Sequence, residues 1–273
     1  MSDYEEAYRH LFDDRVLGRG PASRLPKAFL IAGPPGSGKS RLAAEALQAC
    51  SSTGGHPVHV DSDRFRRYVP GYEALAGTEP AKAFVLSQQW VSQWSDSLRD
   101  HAIGARLDIV CEGLFKTNHN NRVLLAALLA QSYDVEVVAK VITPALSLLQ
   151  TELRYERQLA GRHGREAAPR RVPAAAHDAA HSTLPCLVGL AVASNVRVSL
   201  RDIDNAPLEE VDGLSPSKRL EQLRAAIPPK EEQLAATKLL ASVQEFRAKR
   251  GAPELPEPGS ALEAALGLIA RWP

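Results

Sequence analysis

The sequence predicts an α/β protein, a mainly parallel sheet flanked by helices with a C-terminal helical appendage. Three observations carry that expectation. Short runs rich in β-branched residues alternate with longer helical stretches through the first two-thirds of the chain. A glycine-rich turn joins the first such run to the first helical stretch, and the strand signal vanishes after about Asp204. Alternation of this kind yields parallel neighbours covered by helices on both faces.

The elements follow in order. Ala28-Phe29-Leu30-Ile31-Ala32 reads as a buried strand ended by a glycine-proline turn. Ser40 to Ala49 is helical, with Leu42, Ala43, Ala46 and Leu47 at the spacing of one buried face. Pro57 to Val60 is a second strand stopping at Asp61, and a helix from about Pro80 to Ala102 leads to a third strand, Leu107 to Cys111, ending at Glu112. Val123 to Gln131 is helical, with Leu124, Leu125, Leu128 and Leu129 expected in the core. Val135 to Ile142 is a fourth strand, and Pro144 suits the first position of the next helix. A helix over Ala174 to Ala193 and a strand over Val196 to Leu200 complete the pattern. The expected division is residues 1–204 as the catalytic domain and 205–273 as a helical appendage or flexible arm, interrupted by Pro228-Pro229 and the stretch Ala252 to Gly259. In such sheets ligands gather beyond the carboxyl ends of the strands, which directs attention to Gly33 onward, Asp61 to Arg67 and Glu112 to Thr117.

Composition removes several classes of function. The 273 residues carry 33 Lys and Arg against 32 Asp and Glu, a formal net charge of +1, which argues against a protein that coats nucleic acid. An apolar content of 44% supports a sizeable core. The longest apolar run, Val123 to Ala130, is less than half of the roughly 20 residues a membrane span needs. The acidic start Met1 to Glu6 lacks the apolar centre of a secretory signal. Cys50, Cys111 and Cys186 are too scattered for a disulfide framework or a zinc site. A soluble, cytoplasmic protein is the expectation.

Gly33-Pro34-Pro35-Gly36-Ser37-Gly38-Lys39-Ser40 matches the phosphate-binding loop G-x-x-x-x-G-K-[ST] in full, between a predicted strand and a predicted helix. Glycines let backbone N–H groups turn inward as an anion nest, and the helix N-terminus adds partial positive charge. Lys39 is expected on the β- and γ-phosphates of ATP or GTP, and the Ser40 hydroxyl on Mg²⁺. The expected fold is therefore that of the P-loop NTPases and kinases.

The acceptor is harder to read. Asp61 and Asp63 follow the second strand, where a carboxylate can accept the proton of an attacking hydroxyl or can cap the next turn. Glu112 can organise Mg²⁺, grip a substrate hydroxyl, or serve as an ordinary loop carboxylate. Arg154-Tyr155-Glu156-Arg157 and the arginine-rich stretch Gly161 to Arg171 suit closure over a transferred phosphate, or form a solvated basic face. His177-Asp178-Ala179-Ala180-His181 imitates a zinc helix but lacks its glutamate and a following third histidine, although Asp202 or Glu209 could supply that ligand.

The order of these pieces resembles the zeta-toxin family, the kinases of epsilon/zeta-type toxin–antitoxin systems. The likeness spans about Phe29 to Leu200. It rests on Gly33 to Ser40, on Asp61-Ser62-Asp63-Arg64-Phe65-Arg66 with Pro70, on Ile109 to Gly113, on Arg154-Tyr155-Glu156, and on Arg170-Arg171-Val172-Pro173 with His177-Asp178. The resemblance implies ATP-dependent phosphorylation of the 3′-hydroxyl of UDP-N-acetylglucosamine, with an antitoxin protein as partner and neither membrane nor nucleic acid involved. It implies Asp63 as catalytic base, Lys39 on the phosphates, Arg154 and Arg170 as phosphate-stabilising arginines, with Arg171 a near-equal claimant, and Glu112, Asp96, Lys116 and Arg66 on the substrate. The sequence departs from the family on the acceptor side: Val69 precedes Pro70 where the family has His, and Leu114 and Leu124 replace polar residues. Asp96 and Lys116 stand where Glu and Arg are usual. Two other readings compete, a polynucleotide or other small-metabolite kinase and a non-catalytic nucleotide-dependent switch.

Overall fold

Strands β1 (Lys27–Ala32), β2 (Val58–Asp61), β3 (Ile109–Gly113), β4 (Asp134–Lys140) and β5 (Arg197–Arg201) form one sheet in the order β2-β3-β1-β4-β5. Every pairing between these strands is parallel. The computed structural model describes residues 25–113, 115, 117–161, 169–208, 214–226, 228–253 and 255–272. The acidic start Met1 to Glu6 and, within the arginine-rich stretch, residues 162–168 lie outside them.

The helices are α1 (Lys39–Ser52), α2 (Tyr72–Thr78), α3 (Pro80–Gly104), α4 (Asn118–Ala130), α5 (Pro144–Leu159), α6 (Ala174–Ala193), α7 (Pro216–Ala225), α8 (Lys230–Lys249) and α9 (Ala261–Ile269), with a 3-10 helix at Ser62–Tyr68. The pleat of β1 divides them. Ala28, Leu30 and Ala32 face a core shared with α3, α4 and α6, while Phe29 and Ile31 face Leu42, Ala43 and Ala46 of α1. β1 is central, so its carboxyl end, where the glycine loop begins, opens between β3 and β4.

Helix α4 begins five residues before the apolar periodicity does. The Thr117 hydroxyl accepts from Asn120 N at 3.2 Å, so this cap sets the start despite the weak helix formers Asn118 to Asn121. Leu124, Leu125 and Leu128 are buried, but Leu129, expected in the core, is 41% exposed at the last turn. The tail is helical and packs on α5: Ala236, Val243, Ala261, Leu262 and Ala265 share one cluster with Leu146, Leu148, Leu149 and Leu153.

The two histidines of the zinc-like pair serve packing between helices. His177 Nε2 lies 2.6 Å from Ser147 Oγ on α5, and His181 Nδ1 lies 2.5 Å from Arg224 Nη2 on α7. Burial, then the charge of Arg224, lowers His181 from 6.5 to about 4. A folded-state pKa below the unfolded value means that the unfolded chain binds the extra proton, so stability is lost as pH falls from about 6.5 toward 4. That loss amounts to at most about 3 kcal/mol. His181→Gln is expected to flatten this part of the acid-denaturation curve, measured by urea unfolding at pH 7 and pH 4.5; an unchanged pH slope would contradict the assignment.

Candidate active site

The glycine loop is shaped by what stands against it. Gly36 (φ 78°) and Gly38 (φ 82°) adopt left-handed conformations, and Gly38 is the residue from which α1 starts. A Cβ on Gly36 would come within 2.1 Å of Ser147 O and 2.5 Å of Thr151 Oγ1, so the loop lies directly on α5. Ser37 Oγ is buried without a hydrogen-bond partner. Lys39 is buried and donates to Pro34 O at 2.8 Å. Burial lowers its pKa to about 8, with Glu112 and Asp63 opposing, which leaves it charged at neutral pH. Ser40 Oγ donates to Glu112 Oε1 at 2.8 Å, tying the first turn of α1 to the end of β3.

The two aspartates after β2 are placed differently. Asp61 caps the 3-10 helix, accepting from Asp63 N at 2.9 Å. Asp63 turns toward the cleft, 41% exposed, and is held by Arg66 Nε at 3.2 Å and by Arg170. Arg66 is itself fixed to α3, donating to Phe84 O (3.1 Å), Ser87 Oγ and Gln88 Oε1 (3.1 Å) and stacking on the Phe84 ring. Desolvation in the cleft raises the Asp63 pKa, but the charges of Arg170, Arg66 and Arg154 outweigh it and hold the carboxyl well below the usual range. Asp61 moves the other way, to about 6, because burial and then the charges of Asp63 and Glu112 disfavour its ionised form.

Arg154, on α5, projects into the same space. Its Nε and Nη2 are buried without a hydrogen-bond partner, and burial, then the nearby charge of Arg170, lowers its pKa to about 9. A buried guanidinium lacking acceptors is a site awaiting an anion. Arg170 and Arg171 diverge. Arg170 reaches Asp63, whereas Arg171 turns to Glu152 on α5 (3.4 Å) and to Glu257 in the tail.

A cavity of about 550 Å³ joins these groups, large enough for a nucleotide-sized molecule. Lys39, Ser40, Asp63, Arg66, Glu112, Arg154 and Arg170 line it, as do Asp96, Arg99, Asn120 and Leu124. Asp96 is paired there with Arg99 at 2.6 Å. Val69 is buried in the core beneath the 3-10 helix. Lys116 and Leu114 lie outside the described residues. The sequence reading missed His59. It shares a face of β2 with Asp61, and Asp61 stands opposite Glu112 in the register, so the three bring ligand atoms within 4.8 Å of one another. The alternation His59-Val60-Asp61 was the available signal. His59 Nε2 and Glu112 Oε2 are both buried, 3.6 Å apart, without a hydrogen-bond partner. Oxygen donors with one imidazole beside the Ser40 hydroxyl fit a small divalent cation.

A protein-family model described as zeta toxin matches residues 13–198. The chain belongs to the zeta toxin family. By that membership it is a kinase-like toxin of the toxin–antitoxin class. Among solved structures, a chain from the PezAT chromosomal toxin–antitoxin system of Streptococcus pneumoniae superposes with a TM-score of 0.68 at 20% identity, covering 89% of this chain and 96% of that one. A chain of the AvrRxo1-ORF1:AvrRxo1-ORF2 complex with sulphate ions gives 0.57 at 14% identity, covering 99% of this zeta toxin and 87% of its counterpart. The AvrRxo1 complex with ATP gives 0.55 at 15% identity, over 99% and 87%. These three matches establish the fold. No curated protein matches the sequence. Among the described residues of this zeta toxin, no helix is long and apolar enough to cross a membrane.

Proposed function

We propose that this zeta toxin transfers the terminal phosphoryl group of ATP to a hydroxyl of a UDP-activated amino sugar, with the 3′-hydroxyl of UDP-N-acetylglucosamine as the acceptor. The observation that carries the transfer step is the convergence, in one cavity, of Lys39, Arg154 and Arg170 with the carboxylate of Asp63. Phosphoryl transfer asks chiefly for alignment and for charge neutralisation around the moving group. Lys39 and the loop amides hold the donor phosphates, and Arg154 and Arg170 meet the charge on the transferred group. Asp63 accepts the proton of the attacking hydroxyl. Arg66, with its donors occupied by α3 and Asp63, aims that carboxylate. An incoming phosphate competes with Asp63 for Arg170, which releases the base as the donor arrives.

Ser40, Glu112, Asp61 and His59 would hold Mg²⁺. When bound, it supplies charge neutralisation at the phosphate oxygens. Glu112 stays ionised in this setting: burial pushes its pKa up, but the neighbouring His59 imidazole, the hydrogen bond from Ser40 and the charge of Lys39 bring it below the usual value. Asp96, Lys116 and Glu112 are the proposed contacts of the sugar nucleotide. Location in a concave cleft, not on a flat exposed face, favours a small acceptor over nucleic acid. The proposed partner is an antitoxin, a reading supported by the family and by the likeness to a chain of the PezAT toxin–antitoxin system. The proposed domain division keeps residues 1–204 as the kinase unit and 205–273 as its extension.

The test uses purified protein, ATP, Mg²⁺ and a panel of UDP-sugars, followed by mass spectrometry. One UDP-amino sugar is expected to gain a single phosphoryl group while ATP turnover rises at least about ten-fold over the acceptor-free rate. ATP turnover indifferent to every UDP-sugar would reject the acceptor.

A further inference from the structure

Besides the pairing of Arg170 with Asp63, four polar contacts among the described residues hold the short segment 169–174. The Arg170 amide donates to Gln158 Oε1 on α5 at 2.9 Å, and the Arg171 guanidinium meets Glu152 on the same helix at 3.4 Å. The other two come from the opposite end of the chain: Glu257 pairs with Arg171, and Gly259 O accepts from Ala174 N at 3.3 Å. The loop supplying them is itself braced. Arg247, buried against Glu152 and Glu156, donates to Pro253 O at 2.8 Å and Leu255 O at 3.3 Å. Arg250 forks onto Glu156 with both contacts at 2.8 Å. Pro256 and Pro258 restrict the backbone on either side of Glu257.

We infer that Glu257 of the C-terminal extension is a positioning residue for phosphoryl transfer: by seating Arg171 against α5, it fixes the adjacent Arg170 in the cleft. The geometry separates this from a stabilising role. Glu257 is 56% exposed, and the buried Arg171 guanidinium keeps Glu152 as a partner when Glu257 is neutralised, so the change in fold stability is small. Position is the sensitive quantity, since displacement of a charge-neutralising group by about 1 Å costs on the order of 100-fold in rate. The extension thus completes the site without entering it. The rate arm of this inference rests on the phosphotransferase reading.

Glu257→Gln and Glu257→Asp, made in the full chain, test it. For Glu257→Gln, kcat for transfer is expected to fall about ten-fold, with the KM for ATP within about two-fold and the Tm within about 2 °C; Glu257→Asp should recover part of the rate. Hydrogen exchange should quicken in the peptide spanning 169–174 and stay unchanged in α1. Slow transfer to water, which needs no assigned acceptor, is measured alongside, so failure of the sugar assignment leaves this test standing. Unchanged exchange at 169–174 overturns the inference. So does faster exchange with unaltered kcat, or a rate loss matched by a general fall in Tm.

Discussion

Asp63→Asn is expected to lower phosphoryl transfer by about 10²–10⁴-fold while leaving nucleotide binding intact or tighter. The amide keeps the size of the side chain and loses its capacity to take a proton. It also removes the anion that Arg170 and Arg66 share. Arg170, whose own pKa the Asp63 charge raises against the opposing effect of burial, would then face the cavity uncompensated. A phosphate entering the variant would meet that guanidinium without first displacing a carboxylate. Single-turnover transfer and equilibrium binding of a fluorescent ATP analogue separate the two effects. Transfer within a few-fold of the wild type would remove Asp63 from the chemistry; binding weakened ten-fold would show the cleft to depend on that carboxylate for its shape.

Gly36→Ala is expected to abolish nucleotide binding and to cost about 3 kcal/mol of stability, about 5 °C in Tm for a chain of this size. The new methyl group would sit 2.1 Å from Ser147 O, an atom of the helix backbone with no rotamer to escape through. The left-handed φ of 78° adds a second penalty for any residue with a Cβ. Relief requires the loop to lift from α5, and lifting it separates the phosphate cradle from Arg154. Gly38→Ala offers the contrast, since a Cβ there meets only the far end of Lys140 at 3.9 Å and the strain is conformational alone. Thermal unfolding and nucleotide titration of both variants check this. Equal behaviour of the two would mean that contact with α5 does not shape the loop.

Where chemistry dictates residue types at fixed spacing, the sequence is legible. The eight-residue loop could be read outright, because few side chains permit a backbone nest at a helix start. The five strands were legible because a buried parallel sheet demands short apolar β-branched runs. The Asp pair was legible as a pair but not as a division of labour. Capping and base chemistry call for the same residue type, and only the turn geometry of Ser62–Tyr68 shows that Asp61 is the one that caps. The sequence favoured Arg170 but left Arg171 a near-equal claimant for a related reason: both side chains are identical, and their partners lie more than a hundred positions upstream and 86 positions downstream. His59 was hidden by its ordinariness, since a lone histidine gains meaning only from a strand register that brings Glu112 beside Asp61. The tail's apolar contacts were overlooked because proline-rich breaks at 228–229 and 252–259 dominate the local pattern.

The clasp between Asp63 and Arg170 makes the two halves of the proposed reaction sequential. While the guanidinium holds the carboxylate, that carboxylate is masked as a proton acceptor. On the proposed reading a seated phosphate draws the guanidinium away, so basicity in the cleft is switched on by the donor itself.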